Sequence, residues 1–347
     1  MSAFTLVGLS VGVIVGLAGQ LSLGQFAIAG AGATASALVA RQSGNFMLAF
    51  LAAGLVGAVA SVAVGLPALR IRGLFLAITT IGVALVAQNS LFGQSWALGN
   101  GLDPGRPVIA GHALDGGRAY FYFSLFVVAF GFWFTRNIWR SGLGRRLRAL
   151  RDNEDGARSF TVPATAVKLQ AFALAGFLAG VGGAVYGHGL SRISPSTFPV
   201  EASISVVALT LIGGVGILVG PLIGALYIIG VPHFVPLDSA GLAASSLGWL
   251  VLILYFPGGI AQLIRPVRDR LVDLLARRAG VDVDDGGALV GSALESAADI
   301  TLQAAVVQRS ATDPEATVLL DVRSVSKRFG GVTAVDEVSL DVVRGET

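Results

Sequence analysis

The sequence predicts an all-α polytopic membrane protein of about eight to nine transmembrane or half-membrane helices, ending in a short β segment. Three observations carry that prediction. Hydrophobic residues make up 54% of the 347 positions and charged ones only 13%, with a mean hydropathy of +0.76, a balance that soluble domains rarely reach. The apolar residues gather into separated runs that fill most of the first 257 positions. The last thirty residues instead alternate with the period of two that marks half-buried strands.

In chain order, candidate spans lie at residues 3–18, 25–40, 46–66, 73–92, 119–135, 168–187, 201–213, 217–231 and 243–256. Several fall short of the roughly twenty residues a bilayer requires, so half-helices and tilted helices are expected among them. Broken helices survive at membrane depth only where protein or a water-filled path receives the freed backbone groups. The breaks at Gly19 to Gln25 and at Gly213, Gly214 and Gly216 are therefore the candidate substrate path. Polar residues inside or at the ends of apolar runs join it: Gln20, Ser22, Gln25, Thr79, Thr80, Gln88 and Asn89. Such side chains face the bundle interior, where they bond other helices or line a cavity. Glycines spaced by four (Gly8, Gly12 and Gly16; Gly176 and Gly180; Gly220 and Gly224) form smooth helix faces, which indicate close packing and carry no information about substrate.

Charge placement sets the expected orientation. Arg136, Arg140, Arg145, Arg146, Arg148, Arg151 and Arg158 crowd one loop between spans, which places that loop in the cytoplasm. Alternating spans put Arg70 and Arg72, the basic residues from Arg265 to Arg278 and the C-terminus on the same side. The same counting puts Met1 outside, from which a further span is expected in front of it. Residues 279–317, rich in Asp, Gly, Ala and Ser, read as a mostly flexible linker with one short helix. The implied organisation is a membrane domain over 1–265, a cytoplasmic tail and linker over 266–317, and the β segment over 318–347.

Several classes of function are excluded or disfavoured. Zero cysteines remove disulfides and thiolate chemistry, and His112, His188 and His233 lack the spacing of metal ligands. The net charge of +3 comes without aromatics interleaved among the basic residues, which argues against nucleic acid. An ion-driven secondary transporter predicts inverted repeats and a mid-membrane acid, neither of which is read here.

Four segments, in order, carry a resemblance: Ala18-Gly-Gln-Leu-Ser-Leu-Gly24, Leu69-Arg-Ile-Arg-Gly-Leu-Phe-Leu-Ala-Ile-Thr-Thr80, Arg148-Ala-Leu-Arg-Asp-Asn-Glu154 and Ile212-Gly-Gly-Val-Gly-Ile-Leu-Val-Gly-Pro-Leu-Ile-Gly-Ala225. Over nearly all of residues 8–265 the chain resembles LivM-type permeases, the inner-membrane subunits of ABC importers for branched-chain and other hydrophobic amino acids. The resemblance implies import by alternating access, with Arg148, Arg151, Asp152, Asn153 and Glu154 as the loop that docks on the ATPase. It implies three partners in a bacterial plasma membrane: a second, LivH-like permease, an ABC ATPase, and a periplasmic or lipid-anchored binding protein. Relatives of the class also carry urea, amides and sugars.

At the other end, Ser326-Lys-Arg-Phe-Gly-Gly331 and Val338-Ser-Leu-Asp-Val-Val-Arg-Gly-Glu346 resemble the first strands of the LivG-type ATPase of the same importers. Gly330 and Gly331 form the expected turn, and the resemblance implies that Phe329 stacks on adenine. No G-x-x-x-x-G-K-[ST] phosphate loop occurs, so the chain itself is expected neither to bind a cofactor nor to hydrolyse ATP; ATP and Mg act through a complete ATPase domain. A non-transporting remnant of a permease and ATPase fusion is the competing expectation. The segment Leu98-Gly-Asn-Gly-Leu102 is a shortened form of a Gly-rich external loop of the family, which bears on contact with the binding protein.

Overall fold

A computed structural model describes residues 1–69, 73–109, 112–114, 116–234, 248–249, 255, 258–260, 318–329 and 332–343. Two units separate by their internal packing, Met1–Asp269 and Arg270–Thr347.

The first unit is helical. Helix α1 (Ser2–Val11) continues as wide π turns through Gly12–Leu17, α2 spans Gln25–Ser43, and α3 spans Phe46–Ala68. Helix α4 (Leu74–Val86) also ends in π turns, Ala87–Leu91. A two-residue hairpin follows, β1 (Val108–Ile109) with β2 (His112–Ala113). Then come α5 (Gly117–Arg140), α6 (Gly142–Asp152), α7 (Glu154–Ser159), α8 (Ala164–His188) and α9 (Val200–Gly213). Helix α10 (Gly220–Ala225) runs on through π turns Leu226–Gly230 to Val231–Phe234.

Among the described residues, α3, α5, α8 and the Pro195–Gly213 segment are long and apolar enough to cross a membrane, and Ser2–Leu17, Phe75–Leu91 and Gly220–Gly230 are shorter apolar helices. The expected helices from residue 3 to 231 are present, with ends displaced by a few residues. The expected span at 243–256 and the linker lie largely or wholly outside the described residues, as do Arg70, Arg72 and the Gly330-Gly331 turn.

The bundle is held by backbone approach. A Cβ added at Gly57 would sit 2.9 Å from Gly180 Cα, and one at Gly182 would sit 2.9 Å from Val7 Cγ2. Helix α8 thus lies between α3 and α2 on glycines, with Gly32 facing Gly180 and Gly183 facing Ala29. Lipid supplies no hydrophobic drive between helices, so dispersion over these smooth faces is what joins them. Gly8 does the same against α10, where a Cβ would lie 2.8 Å from Pro221 Cβ. His188 closes the far end of α8, with Nε2 2.9 Å from Ser36 Oγ and Nδ1 3.0 Å from Gly105 O.

The outer surfaces of α3, α4 and α5 expose large apolar side chains, among them Val59, Phe75, Phe126 and Trp133. That pattern suits contact with lipid.

In the second unit, β3 (Val318–Phe329) pairs antiparallel with β4 (Val332–Val343), with Leu320 opposite Val342, Val322 opposite Leu340 and Val325 opposite Val338. The two strands match the alternation in the sequence. Their apolar side chains do not match the expected half burial: Leu320, Val325, Val338 and Leu340 are exposed, because a two-stranded ribbon offers no second layer to cover them.

Candidate functional site

The site is assembled where α1 stops. Its last turns are π because Ala18 N donates to Val13 O at 3.2 Å and Gln20 N reaches back to Ile14 O at 3.0 Å. Gly19 then takes φ +65°, a left-handed conformation that glycine tolerates without strain. From there residues 20–24 double back into the bundle. Leu23 N donates to Thr80 Oγ1 at 2.9 Å, and Phe26 N donates to Ser203 Oγ at 3.2 Å.

Helix α2 consequently begins beside Ser10, whose Oγ lies 3.2 Å from Gln25 Oε1. Ser10 lies seven residues before Leu17, where the π turns that continue α1 end, so at roughly 1.5 Å per residue α2 starts about 10 Å back along that helix. A helix N-terminus at that depth presents partly unsatisfied N–H groups and a positive dipole end to the interior. Beside it, Ser22 Oγ and Gln25 Nε2 are buried with no hydrogen-bond partner among the described residues. Buried donors are nearly always paired, so this is where a polar group from outside the chain has something to gain.

The predicted path residues divide into two groups. Ser22, Gln25 and Thr80 are buried together around the α2 start, and Gln20 lies half-buried in the loop with Nε2 3.4 Å from Ala18 O. Gln88 caps α9, its Oε1 accepting from Val200 N at 3.1 Å. Thr79 and Asn89 are not brought to the site; they bond their own helix at Phe75 O (2.8 Å) and Leu85 O (3.0 Å). At the second break Gly213 and Gly214 are buried against α10, Gly214 has φ +110°, and Gly216 is exposed. The two breaks meet: a Cβ on Gly16 would lie 2.6 Å from Val215 O.

The arginine-rich loop reaches the same place. Ser141 caps α6 through Gly144 N (3.2 Å) and Asn153 caps α7 through Gly156 N (2.8 Å), which explains why two short helices form where the sequence showed only charge. Leu147 and Leu150 pack in one cluster with Leu9 of α1 and Val13, Ile14 and Leu17 of the π turns that follow it. Arg148 turns back to Gly144 O (3.2 Å) and Trp139 O (2.9 Å), closing the end of α5. Arg151 donates to Gly16 O at 2.6 Å and holds Asp152 at 2.9 Å. Glu154 binds Arg158 at 2.8 Å and Lys168 of α8 at 2.9 Å.

Lys168 is a partner of the arginine-rich loop that the sequence reading missed. Its side chain is only 8% exposed, and a lysine inside an apolar run of small residues is the signal that an acid must be waiting nearby. Phe160, 83% exposed beside the positive-φ Thr161, was likewise passed over. The backbone of Phe329 ends β3, and its side chain lies outside the described residues.

The profile of the branched-chain amino acid transport system permease component family matches residues 1–255. The chain belongs to this family. Two curated relatives of this permease family member, the high-affinity branched-chain amino acid transport system permease proteins LivM of Salmonella typhimurium (strain LT2) and Escherichia coli (strain K12), are each 28% identical to it over 292 residues. The match covers 76% of this chain and 68% of either relative. No solved structure matches it significantly. As a member of that family the permease is a multi-pass membrane transport subunit, and its apolar helices agree.

Proposed function

We propose that this permease imports branched-chain or other hydrophobic amino acids across a bacterial inner membrane, by alternating access coupled to ATP hydrolysis in a cassette subunit. The observation that carries the reading is the start of α2 within the bundle beside buried Ser22 Oγ and Gln25 Nε2, with the second glycine break and the arginine-rich loop at the foot of the same helix pair. Half-helix ends near the membrane midplane are where transporters of several folds hold polar substrate groups. A zwitterion with an apolar side chain suits such a place: dipoles answer its charge, and the aromatic cluster of Phe4, Phe26, Tyr186 and Phe198 is adjacent.

In this reading α6 and α7 dock on the ATPase, the C-terminus is cytoplasmic, and the β3–β4 hairpin is the start of an ATP-binding cassette. Its partners are a second, LivH-like permease, the ATPase and a binding protein outside the membrane. The test is uptake of radiolabelled leucine in cells that lack their own branched-chain system and express this chain with its partner subunits. ATP-dependent uptake competed by isoleucine and valine is expected. Uptake competed only by urea, an amide or a sugar moves the substrate class, and no uptake of any of them overturns the reading.

A further inference from the structure

The end of α1 leaves carbonyls without helical partners, as every helix does. Three of its last carbonyls are taken by the chain itself: Val13 O, Ile14 O and Val15 O accept from Ala18, Gln20 and Gly19. Gly16 O is taken by a side chain from 135 residues away, Arg151 Nη1, at 2.6 Å. A guanidinium there meets the negative end of the helix dipole with a charge-assisted hydrogen bond, both favourable to holding it. Its fork is fixed from the other side by Asp152, which accepts from Nε at 2.9 Å.

The Arg151 side chain keeps 38% of its surface exposed, and its stem lies over Gly19. A Cβ on Gly19 would lie 2.6 Å from Arg151 Cγ, so the arginine stem occupies the space that a side chain at Gly19 would need. Gly19 is also the residue at which the chain leaves α1 for the polar break, and Gly16 abuts Val215 of the second break. The apolar side of α6 is already seated on α1 through Leu147 and Leu150.

We propose that Arg151 is a positioning residue that clasps the end of α1 to α6, so that a displacement of α6 is delivered to both glycine breaks. The inference deepens the import reading above and rests on it for the meaning of that displacement. The bond itself is independent of substrate. Removing the guanidinium leaves α6 packed on α1 by apolar contact alone, which permits sliding that a directed hydrogen bond forbids.

Two measurements test it. In the complete transporter reconstituted in proteoliposomes, leucine uptake per ATP hydrolysed is expected to fall about tenfold in Arg151→Ala, the scale of one lost charge-assisted hydrogen bond. Arg151→Lys, which keeps a charged donor, recovers part of the ratio, and Gly19→Ala lowers it both by pressing on the arginine stem and by straining a backbone held at φ +65°, so its non-additivity with Arg151→Ala is what bears on the clasp. The double variant Arg151→Ala, Gly19→Ala is no worse than either single one. An unchanged ratio in Arg151→Ala, with uptake and hydrolysis falling together, makes Arg151 a contact to the ATPase and overturns the clasp. So does an unchanged ratio in Gly19→Ala.

The second measurement needs no transport. Because the natural chain has no cysteine, spin labels at Ala149→Cys and Gln20→Cys report the α6-to-break distance alone. A narrow distribution that broadens in Arg151→Ala supports the clasp, and one that stays narrow overturns it. Absence of uptake together with that broadening overturns the import reading and leaves the clasp standing.

Discussion

Glu154→Gln gives the sharpest stability test of the loop that carries α6 and α7. The carboxylate bridges Arg158 and Lys168, and Lys168 is 8% exposed against 18% for Glu154. Removing one partner of a buried pair costs about 3–5 kcal/mol, most of it the stranded charge. Residual exposure of both groups lets water recover part of that, and about 2 kcal/mol is a fair expectation. At 1.36 kcal/mol per decade this makes local opening about 30-fold more frequent. Amide hydrogen exchange across α7 and the first turn of α8 reads that factor directly.

Two controls fix the interpretation. Asp152→Asn removes a carboxylate that is 66% exposed, and exchange over α7 should rise by no more than about twofold. Glu154→Gln with Lys168→Met removes both charges and should return exchange to within about threefold of the natural chain. If Glu154→Gln has no greater effect than Asp152→Asn, the buried pair does not anchor the loop and the reasoning fails.

Other expectations follow from the same geometry. Ser22→Ala should leave thermal stability within about 1 kcal/mol, since the buried Ser22 hydroxyl has no partner among the described residues to lose, while leucine uptake falls; denaturation of this variant in detergent counts against the assignment. Ser203→Ala removes the acceptor of Phe26 N at the α2 start and should cost about 1 kcal/mol, read as a lower melting midpoint by tryptophan fluorescence. Gly180→Leu drives a side chain into Ala53 and Gly57 and should cost about 3 kcal/mol or more, seen as loss of the monodisperse species on size exclusion. Gly82→Ala, which meets nothing within 4 Å, should be neutral or slightly stabilising in the same assay.

Much of the helical layout could be read from the chain because each span is a run of apolar residues closed by Gly, Pro or charge. Gly24 precedes α2 at the expected start, residue 25, while the helix runs past the expected end at residue 40 to Ser43 and is closed by Gly44. What escaped was direction. No pattern in Gly19 to Gln25 says that the chain turns back into the bundle, because that depends on Thr80 and Ser203, acceptors 57 and 177 residues away from the N–H groups they satisfy. For the same reason Thr79 and Thr80 look alike in sequence, and both donate to their own turn, yet Thr80 alone of the two also accepts from the break. Lys168 was legible in principle, as a charge amid small apolar residues whose partner had to come from elsewhere.

The glycine faces also set a timetable for biogenesis. Gly57 of α3 waits for Gly176 and Gly180 of α8, about 120 residues later in the chain. At ordinary translation speeds that is on the order of ten seconds. During that interval α2 and α3 have left the ribosome with their smoothest surfaces uncovered, and lipid tails or an insertase must occupy the groove until α8 displaces them. A nascent chain halted anywhere before Ala164 would therefore lack the helix against which its earliest spans close, a form that membrane quality control could recognise by that vacant groove.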